Sequence, residues 1–533
     1  MRLSWRSDLG GNLLGFARPR GAAEVVEAPE SRLLLALTAL LLPIVAIPYL
    51  QLPFAGEHGV YAFGAWRMSQ GEIPYRDFWD MNTPGVFLVH RAADALFGHR
   101  MRSIRLFDLL WTLATLFFLH RIGRRAFGEP TASLAVLFAT ATYFTLGHQP
   151  TAQRDGWCLL PLLAMLDGAQ RSSPSARGDR SLALGIGLGS ALAFWLKPPF
   201  LLPSAVCALV FLRRRPRPHG LLLALGATSF LAVTVAGLLY FWWYGALRDL
   251  YENTVLFNFE YTRDRYTLGE QARIFGQLAL AEPMWLVGAI ACLVALGRAS
   301  ARPFIALIAA CAVVVVVQGK LYGYHLAPLR LLLCATTAAL VTTLWRARRA
   351  RIASRAAVVA ITALAIWSSV QAFRIQQYPQ IWQLLFREGA VKVSREEVAL
   401  AGILAARTQP QDTILVWGVG TPGTVLYLAE RRSPTRFTSC YPFSMQHADS
   451  PLVARWRREF IEALRRAPPR VVVVAGGDAW EGLKNVDSAV SFEHFTELRD
   501  FVAENYRPAA QLRGRLLKYR VFVRNDAQPP PPN

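Results

Sequence analysis

Eleven apolar segments recur through the first 373 residues of this 533-residue chain. A membrane-spanning helix needs about 20 apolar residues, with a range near 17–25. The candidate spans are 33–52, 104–120, 130–147, 157–170, 181–196, 199–212, 220–243, 276–297, 303–318, 326–345 and 355–373. Because 53% of the residues are hydrophobic and only 18% are charged, the pattern predicts a polytopic α-helical membrane protein.

The net charge of +22 comes largely from short arginine clusters between the apolar segments. These clusters contain Arg121, Arg124 and Arg125, then Arg213, Arg214, Arg215 and Arg217, then Arg346, Arg348, Arg349, Arg351 and Arg355. Since cytoplasmic loops of membrane proteins are rich in Lys and Arg, we expect the N-terminus and every cluster to lie inside the cell. Because this placement explains the positive charge, we expect no binding of nucleic acid. The segments 53–103, 148–156, 244–275 and everything after about 374 then lie outside.

The predicted organisation has four parts. A cytoplasmic segment, 1–32, precedes a membrane domain, 33–373, whose first external loop is 53–103. Within that loop we expect an amphipathic helix near 83–97, at the membrane surface. Helical patterns then alternate with apolar strand-like runs at 413–417, 470–475 and 517–523, which predicts an extracytoplasmic α/β domain, 374–525. The last residues, 526–533, form a proline-rich disordered tail.

A GxGxxG pattern, formed by Gly418, Gly420 and Gly423, follows the first of these strand-like runs. In dinucleotide-binding proteins an acidic residue stands about 20 positions further on. No such acid is present here, and the topology places the motif outside the cell. We therefore interpret it as a tight strand-to-helix turn.

The first external loop carries an unusual density of ionisable residues in the stretch EHGVYAFGAWRMSQGEIPYRDFWDMNTPG, 57–85. An acid, Glu57, is followed by Gly71, then by an aromatic-Asp stretch, 75–80, and then by Pro84-Gly85. In order and spacing this resembles the lipid-linked-sugar glycosyltransferases of the GT-C fold, specifically the superfamily of protein O-mannosyltransferases and aminoarabinose transferases. Many members have Asp where this chain has Glu57.

The resemblance implies that the eleven or so predicted spans form a GT-C-like membrane domain and that the donor is a polyprenyl-phosphate-linked sugar. A carboxylate near the acceptor can take its proton, and Glu57, Asp77 and Asp80 are the candidates. The resemblance also implies single displacement with inversion. His58 and Asn82, in the same loop, are candidate substrate-binding residues, and Arg76 is a candidate for the phosphate.

Lysine is rare, since the chain has 53 Arg and five Lys. Only Lys197 and Lys320 lie in the membrane half, both at external helix ends, where a compact ammonium suits a phosphate oxygen. The stretch around Lys320 resembles the family's Lys-aromatic-His sequence, which adds His325 and Tyr324. Snorkelling toward lipid headgroups is the alternative for both lysines.

The short loop around Arg154 and Asp155 adds a candidate phosphate ligand and a candidate substrate-binding acid. Asp155 is equally interpretable as a helix cap. Together with His148 and His325 it is also a weak candidate for a divalent cation site, and we expect no organic cofactor.

These features predict a glycosyltransferase, for hexosyl or pentosyl groups, in the inner membrane of a bacterial cell envelope. It would pass a sugar to a lipid, glycan or protein acceptor at the outer face. Two alternatives remain: a transporter or flippase, which would show inverted repeats and mid-helix charges, and an O-antigen polymerase or ligase, which would share the donor.

Overall fold

The computed structural model describes residues 29–171, 175–215, 219–263, 265–347, 392–444, 450–479, 487–514 and 517–526, with isolated positions between 356 and 363. Up to residue 347 the described chain is helical. In order, its helices are α1 (Pro29–Tyr49), α2 (Gly56–Ser69), α3 (Gly85–Phe97), α4 (Met101–Phe127), α5 (Glu129–Tyr143), α6 (Arg154–Trp157), α7 (Leu159–Gln170), α8 (Ala176–Leu196), α9 (Leu201–Arg213), α10 (Gly220–Trp243), α11 (Leu247–Tyr251), α12 (Phe257–Thr262), α13 (Leu268–Ala281), α14 (Met284–Ala295), α15 (Arg302–Gln318) and α16 (Gly323–Ala347).

Helices lie at ten of the eleven predicted spans. Within the described residues, α1, α4, α10 and α16 are long and apolar enough to cross a membrane, and α13 with α14 would make a fifth span. That pair was predicted as one helix, 276–297, but it bends by 100° before Pro283, which cannot continue the first helix's hydrogen bonding. The eleventh predicted span and the domain boundary near 374 lie outside the described residues, apart from isolated positions.

The segment 53–103, predicted as the first external loop and called the first loop below, is folded rather than open. Helix α3 matches the expected helix, and it buries Phe87 and His90 while Leu88 is exposed. The turn between α2 and α3 is fixed by two hydrogen bonds: the hydroxyl of Tyr75 donates to the carbonyl of Asn82 at 2.6 Å, and that of Thr83 donates to the carbonyl of Leu196 at 2.9 Å. The loop is thereby tied to the end of α8.

A buried polar network joins this loop to the segment 148–156. The guanidinium of Arg105, on α4, is fully buried and donates to the carbonyls of Pro53 at 2.8 Å and His148 at 3.0 Å. It also donates to the hydroxyl of Thr151 at 2.8 Å. One side chain thus holds the chain entering α2 against the chain entering α6, and charged donors make such hydrogen bonds strong.

The C-terminal part, called the C-terminal unit below, combines helices with a small sheet. Its helices are α17 (Lys392–Arg407), α18 (Thr421–Ala429), α19 (Pro451–Arg466), α20 (Ser488–His494) and α21 (Thr496–Asn505), and its strands are β1 (Ile414–Trp417), β2 (Val471–Gly476), β3 (Tyr506–Arg513) and β4 (Lys518–Arg524). The strand order is β1-β2-β4-β3, with β1 and β2 parallel and the other pairs antiparallel. Strand β3 was missed because it is a mostly exposed edge strand with a proline and a register shift.

The glycines of the GxGxxG pattern bring the C-terminal part against the first loop. A Cβ atom at Gly423 would lie 2.3 Å from the backbone nitrogen of Val60, and one at Gly420 would lie 2.9 Å from Cα of Gly56. Only residues without a side chain allow α2 and α18 to approach this closely. The motif is therefore a turn that also packs two helices backbone to backbone.

A second contact between the two parts centres on His99, between α3 and α4. Its Nε2 donates to the carbonyl of Tyr427 at 3.0 Å, and its ring lies 3.5 Å from the carboxylate of Asp94 and 3.9 Å from that of Glu430. Burial lowers the pKa of His99, but these partners together raise it by more, so the pKa of His99 lies above its ordinary value. The contact joins α18 to the first loop through a titratable group.

Candidate active site

One cavity, of about 580 Å³, lies where the first loop, the ends of the membrane helices and the C-terminal unit meet. Residues distant in sequence converge on it. The sequence-predicted site residues that line it are Glu57, Asp80, Asn82, Arg154, Lys197, Lys320, Tyr324 and His325. Deep concave sites with few polar groups in apolar walls are typical of ligand binding.

Glu57 stands in the first turn of α2. That turn is organised by His58, whose buried Nδ1 accepts a hydrogen bond from the backbone N–H of Ala55 at 3.0 Å. The carboxylate of Glu57 accepts from the hydroxyl of Tyr324 at 3.0 Å and from the side-chain amide of Gln153 at 2.9 Å. Burial raises the pKa of Glu57, and these two hydrogen bonds and the charge of Arg154 oppose the rise. A carboxylate with a raised pKa is better able to accept a proton.

Asp80 is the second acid in the cavity wall. It is 3% exposed, and its Oδ1 accepts from the backbone N–H of Asn82 at 2.6 Å. Burial raises the pKa of Asp80 to about 6, although Asn82 and Arg154 oppose the rise. Asn82 in turn donates from its side chain to the hydroxyl of Tyr61 at 3.0 Å.

The cations of the cavity have different partners. Lys197 is buried, and its ammonium pairs with Asp155 at 2.7 Å. The ammonium of Lys320 lies 4.4 Å from the ring centroid of Tyr261. Arg154 is 8% exposed, and within the described part of the chain its buried Nε has no hydrogen-bond acceptor. A buried guanidinium donor without an acceptor suits an anionic ligand.

Several predicted site residues lie outside the cavity wall. The carboxylate of Asp77 turns back to accept from the backbone N–H of Ile73 at 2.7 Å and pairs with the exposed Arg76 at 2.9 Å. His58 is committed to the α2 turn, and Asp155 neutralises Lys197 rather than facing the cavity. These four side chains therefore support the site's surroundings and do not contact the space in which a substrate would fit.

The weak metal candidates do not form a cluster. Within the described residues, no group of three or more His, Cys, Asp or Glu side chains is arranged to hold a metal ion. His148, Asp155 and His325 in particular do not come together, because Asp155 is taken up by Lys197 and only His325 lines the cavity.

Two further parts of the wall come from segments outside the predicted site residues. The first comes from the segment after α10, where a π-helical turn, Glu252–Leu256, leads into α12 and Asn258 donates to the carbonyl of Met81 at 2.8 Å. The second comes from the C-terminal unit, through Val419, Gly420, Ser439, Tyr441, Asp478 and Ala479. The GxGxxG pattern supplies Val419 and Gly420 but indicates only a turn, and the wall is assembled from three turns that only the fold brings together.

Comparisons with known proteins agree with this architecture. The chain matches the dolichyl-phosphate-mannose-protein mannosyltransferase family over residues 81–240. It superposes on ArnT from Cupriavidus metallidurans in the apo state with a TM-score of 0.58, covering 93% of this chain and 98% of ArnT at 15% identity. The structure of the same ArnT bound to undecaprenyl phosphate gives a TM-score of 0.55, with 93% and 99% covered at 15% identity. No curated protein matches the chain in sequence.

The match to ArnT extends over nearly the whole of both chains, so the C-terminal unit and the membrane helices are compared together. At this level of identity the likeness establishes the fold. The chain is therefore a membrane protein with the GT-C fold, and the resemblance to the lipid-linked-sugar glycosyltransferases seen in its sequence is confirmed.

Proposed function

We propose that the protein is a glycosyltransferase that moves a sugar from a polyprenyl-phosphate carrier to an acceptor at the outer face of the cytoplasmic membrane. The observation that carries this proposal is the convergence of Glu57, Arg154, Lys197 and Lys320, from four separate segments, on one cavity. That an ArnT structure holds undecaprenyl phosphate supports a carrier of this kind.

The carrier phosphate would be held by the cations of the cavity. Arg154 can offer its unpaired Nε–H, and Lys320 adds a buried ammonium beside the ring of Tyr261. Lys197 contributes less net charge, because Asp155 already neutralises it. Such fixed donors stabilise the negative charge that develops on a phosphate leaving group.

Glu57 is proposed as the base, with Asp80 as the other candidate in the wall. The acceptor oxygen attacks the anomeric carbon and gives its proton to the carboxylate. The bond between that carbon and the phosphate oxygen breaks, and its electron pair leaves with the phosphate. Tyr324 and Gln153 hold the carboxylate of Glu57 in place for this step.

The location at the outer face rests on the arginines. Asp167, at the end of α7 away from the cavity, is paired with Arg121, Arg125 and Arg171. Because a cytoplasmic location is preferred for such clusters, the cavity at the opposite end and the C-terminal unit are proposed to face outward. The donor sugar is proposed to be a hexose or a pentose.

The proposal is tested by incubating purified protein with polyprenyl-phosphate sugars and measuring the release of free polyprenyl phosphate. We expect Glu57→Gln to reduce release at least 100-fold, because a positioned base contributes about 10²–10⁴-fold. Asp77→Asn is the matched control, since this neighbouring carboxylate lies outside the cavity, and it should keep release within about threefold of wild type. Equal rates for wild type and Glu57→Gln would contradict the assignment.

A further inference from the structure

The part of the cavity formed by the C-terminal unit, here called the C-terminal wall, differs in chemistry from the membrane side. It consists of Val419, Gly420, Ser439, Tyr441, Asp478 and Ala479. Strands β1 and β2 are parallel, and Val419 and Asp478 each follow the carboxyl end of one of them. Ligands of parallel sheets bind at this edge, where neighbouring strands end together.

The polar groups of the C-terminal wall are fixed in position. The carboxylate of Asp478 accepts hydrogen bonds from the backbone N–H and hydroxyl of Ser488, at 2.9 and 2.7 Å, and a longer one of 3.4 Å from the N–H of Val419. The hydroxyl of Ser439 donates to the carbonyl of Val419 at 2.8 Å and accepts from the N–H of Tyr441 at 3.2 Å. A carboxylate has about four acceptor sites, so Asp478 retains capacity for a further donor.

Glu57 lies at the junction of the two sides. Its neighbour Gly56 is in backbone contact with Gly420, since a Cβ added at Gly56 would lie 3.0 Å from Cα of Gly420. On the other side, Glu57 is bonded through Tyr324 and Gln153 to the segments that carry Lys320 and Arg154. The base therefore stands between the cationic side and the C-terminal wall.

We propose that the C-terminal wall is the acceptor subsite, and that the acceptor presents a hydroxyl group rather than a phosphate. This inference rests on the proposed function. A single displacement needs the nucleophile and the phosphate leaving group on opposite sides of the anomeric carbon, so an acceptor held by the C-terminal wall attacks away from Arg154. The carboxylate of Asp478 accepts hydrogen bonds from hydroxyls and repels a phosphate, which discriminates between the two classes.

The experiment uses the full-length protein, polyprenyl-phosphate sugars as donor, and n-octyl glycosides or n-octyl phosphate as acceptor probes. In wild type we expect the glycosides, and not octyl phosphate, to accelerate release of polyprenyl phosphate. Asp478→Asn should raise the KM for the glycoside at least fivefold, while the KM for the donor and its slow hydrolysis without acceptor stay within twofold. Ser439→Ala, a smaller change, should raise the acceptor KM in the same direction.

Ser488→Ala is the control for a purely structural role. It removes a hydrogen bond to Asp478 from a residue outside the cavity and should leave the acceptor KM within twofold. The subsite would be overturned if Ser488→Ala and Asp478→Asn raised the acceptor KM equally. It would also be overturned if octyl phosphate accelerated the release of polyprenyl phosphate, or if none of the glycosides did so while the donor was still hydrolysed. If wild type releases no polyprenyl phosphate under any condition, the proposed function itself fails and the inference fails with it.

Discussion

Replacing Gly423 by alanine tests whether the contact between α2 and α18 positions the site. The added Cβ would lie 2.3 Å from the nitrogen and 2.5 Å from Cα of Val60, both rigid backbone atoms. Ordinary contacts begin near 3.4 Å, so the two helices must separate by roughly 1 Å. Overpacking of this kind costs about 1–3 kcal/mol of unfolding free energy.

The same separation would displace Glu57, which stands three residues before Val60 on α2. A misplacement of about 1 Å can cost about 100-fold in rate, so we expect Gly423→Ala to lose about that much transfer activity and to unfold at a lower temperature. Gly402→Ala, on α17, is the matched control, because a Cβ added there meets nothing within 4 Å. Alanine at this helical position should raise the free energy of unfolding by up to about 1 kcal/mol. Wild-type activity and stability in Gly423→Ala would refute the reasoning.

Three further predictions concern ionisable side chains. The pH–rate profile separates the two candidate bases. If Asp80 accepted the proton, the rate would rise through an inflection near pH 6 that Asp80→Asn lacks; with Glu57 as the base, we expect Asp80→Asn to leave the inflection of the wild-type profile in place, and its loss would contradict the assignment. Because the pKa of His99 is raised in the folded protein, the stability that its protonated ring contributes is full below its ordinary pKa and is lost as the pH rises through the raised pKa. We therefore expect His99→Gln to lower the melting temperature more at pH 6 than at pH 8.5. An equal drop at the two pH values would contradict this expectation. Asp155→Asn should lower the free energy of unfolding by about 3–5 kcal/mol, because it leaves Lys197 buried without a counterion. Adding Lys197→Met to the same chain should restore most of that free energy. If a denaturation series shows no recovery in the double variant, the two side chains are not coupled.

The sequence was most informative where its patterns are local. Apolar length located the helices up to residue 345, and short apolar strand-like runs located β1, β2 and β4. It could not distinguish a straight span from the bent α13–α14 pair, because both halves are equally apolar and only Pro283 marks the break. It also missed β3, an edge strand without a buried face.

For the site, residue rarity was a better guide than clustering. Lys197 and Lys320 stood out as isolated lysines among arginines, and both line the cavity. Arg76 and Asp77 lay in the richest cluster of ionisable residues, yet they pair with each other outside it, since sequence does not reveal which way a turn directs its side chains. The C-terminal wall was inaccessible to sequence reasoning because it depends on the packing of distant turns.

Binding of the carrier lipid, without any chemistry, tests the central claim most directly. The affinity of polyprenyl phosphate for the protein in lipid nanodiscs should fall at least tenfold in Arg154→Ala, which removes the buried guanidinium, and should stay within twofold in Arg76→Ala, which removes an exposed guanidinium outside the cavity. Equal affinities for wild type and Arg154→Ala, or an equal loss in both variants, would contradict the placement of the carrier phosphate in this cavity.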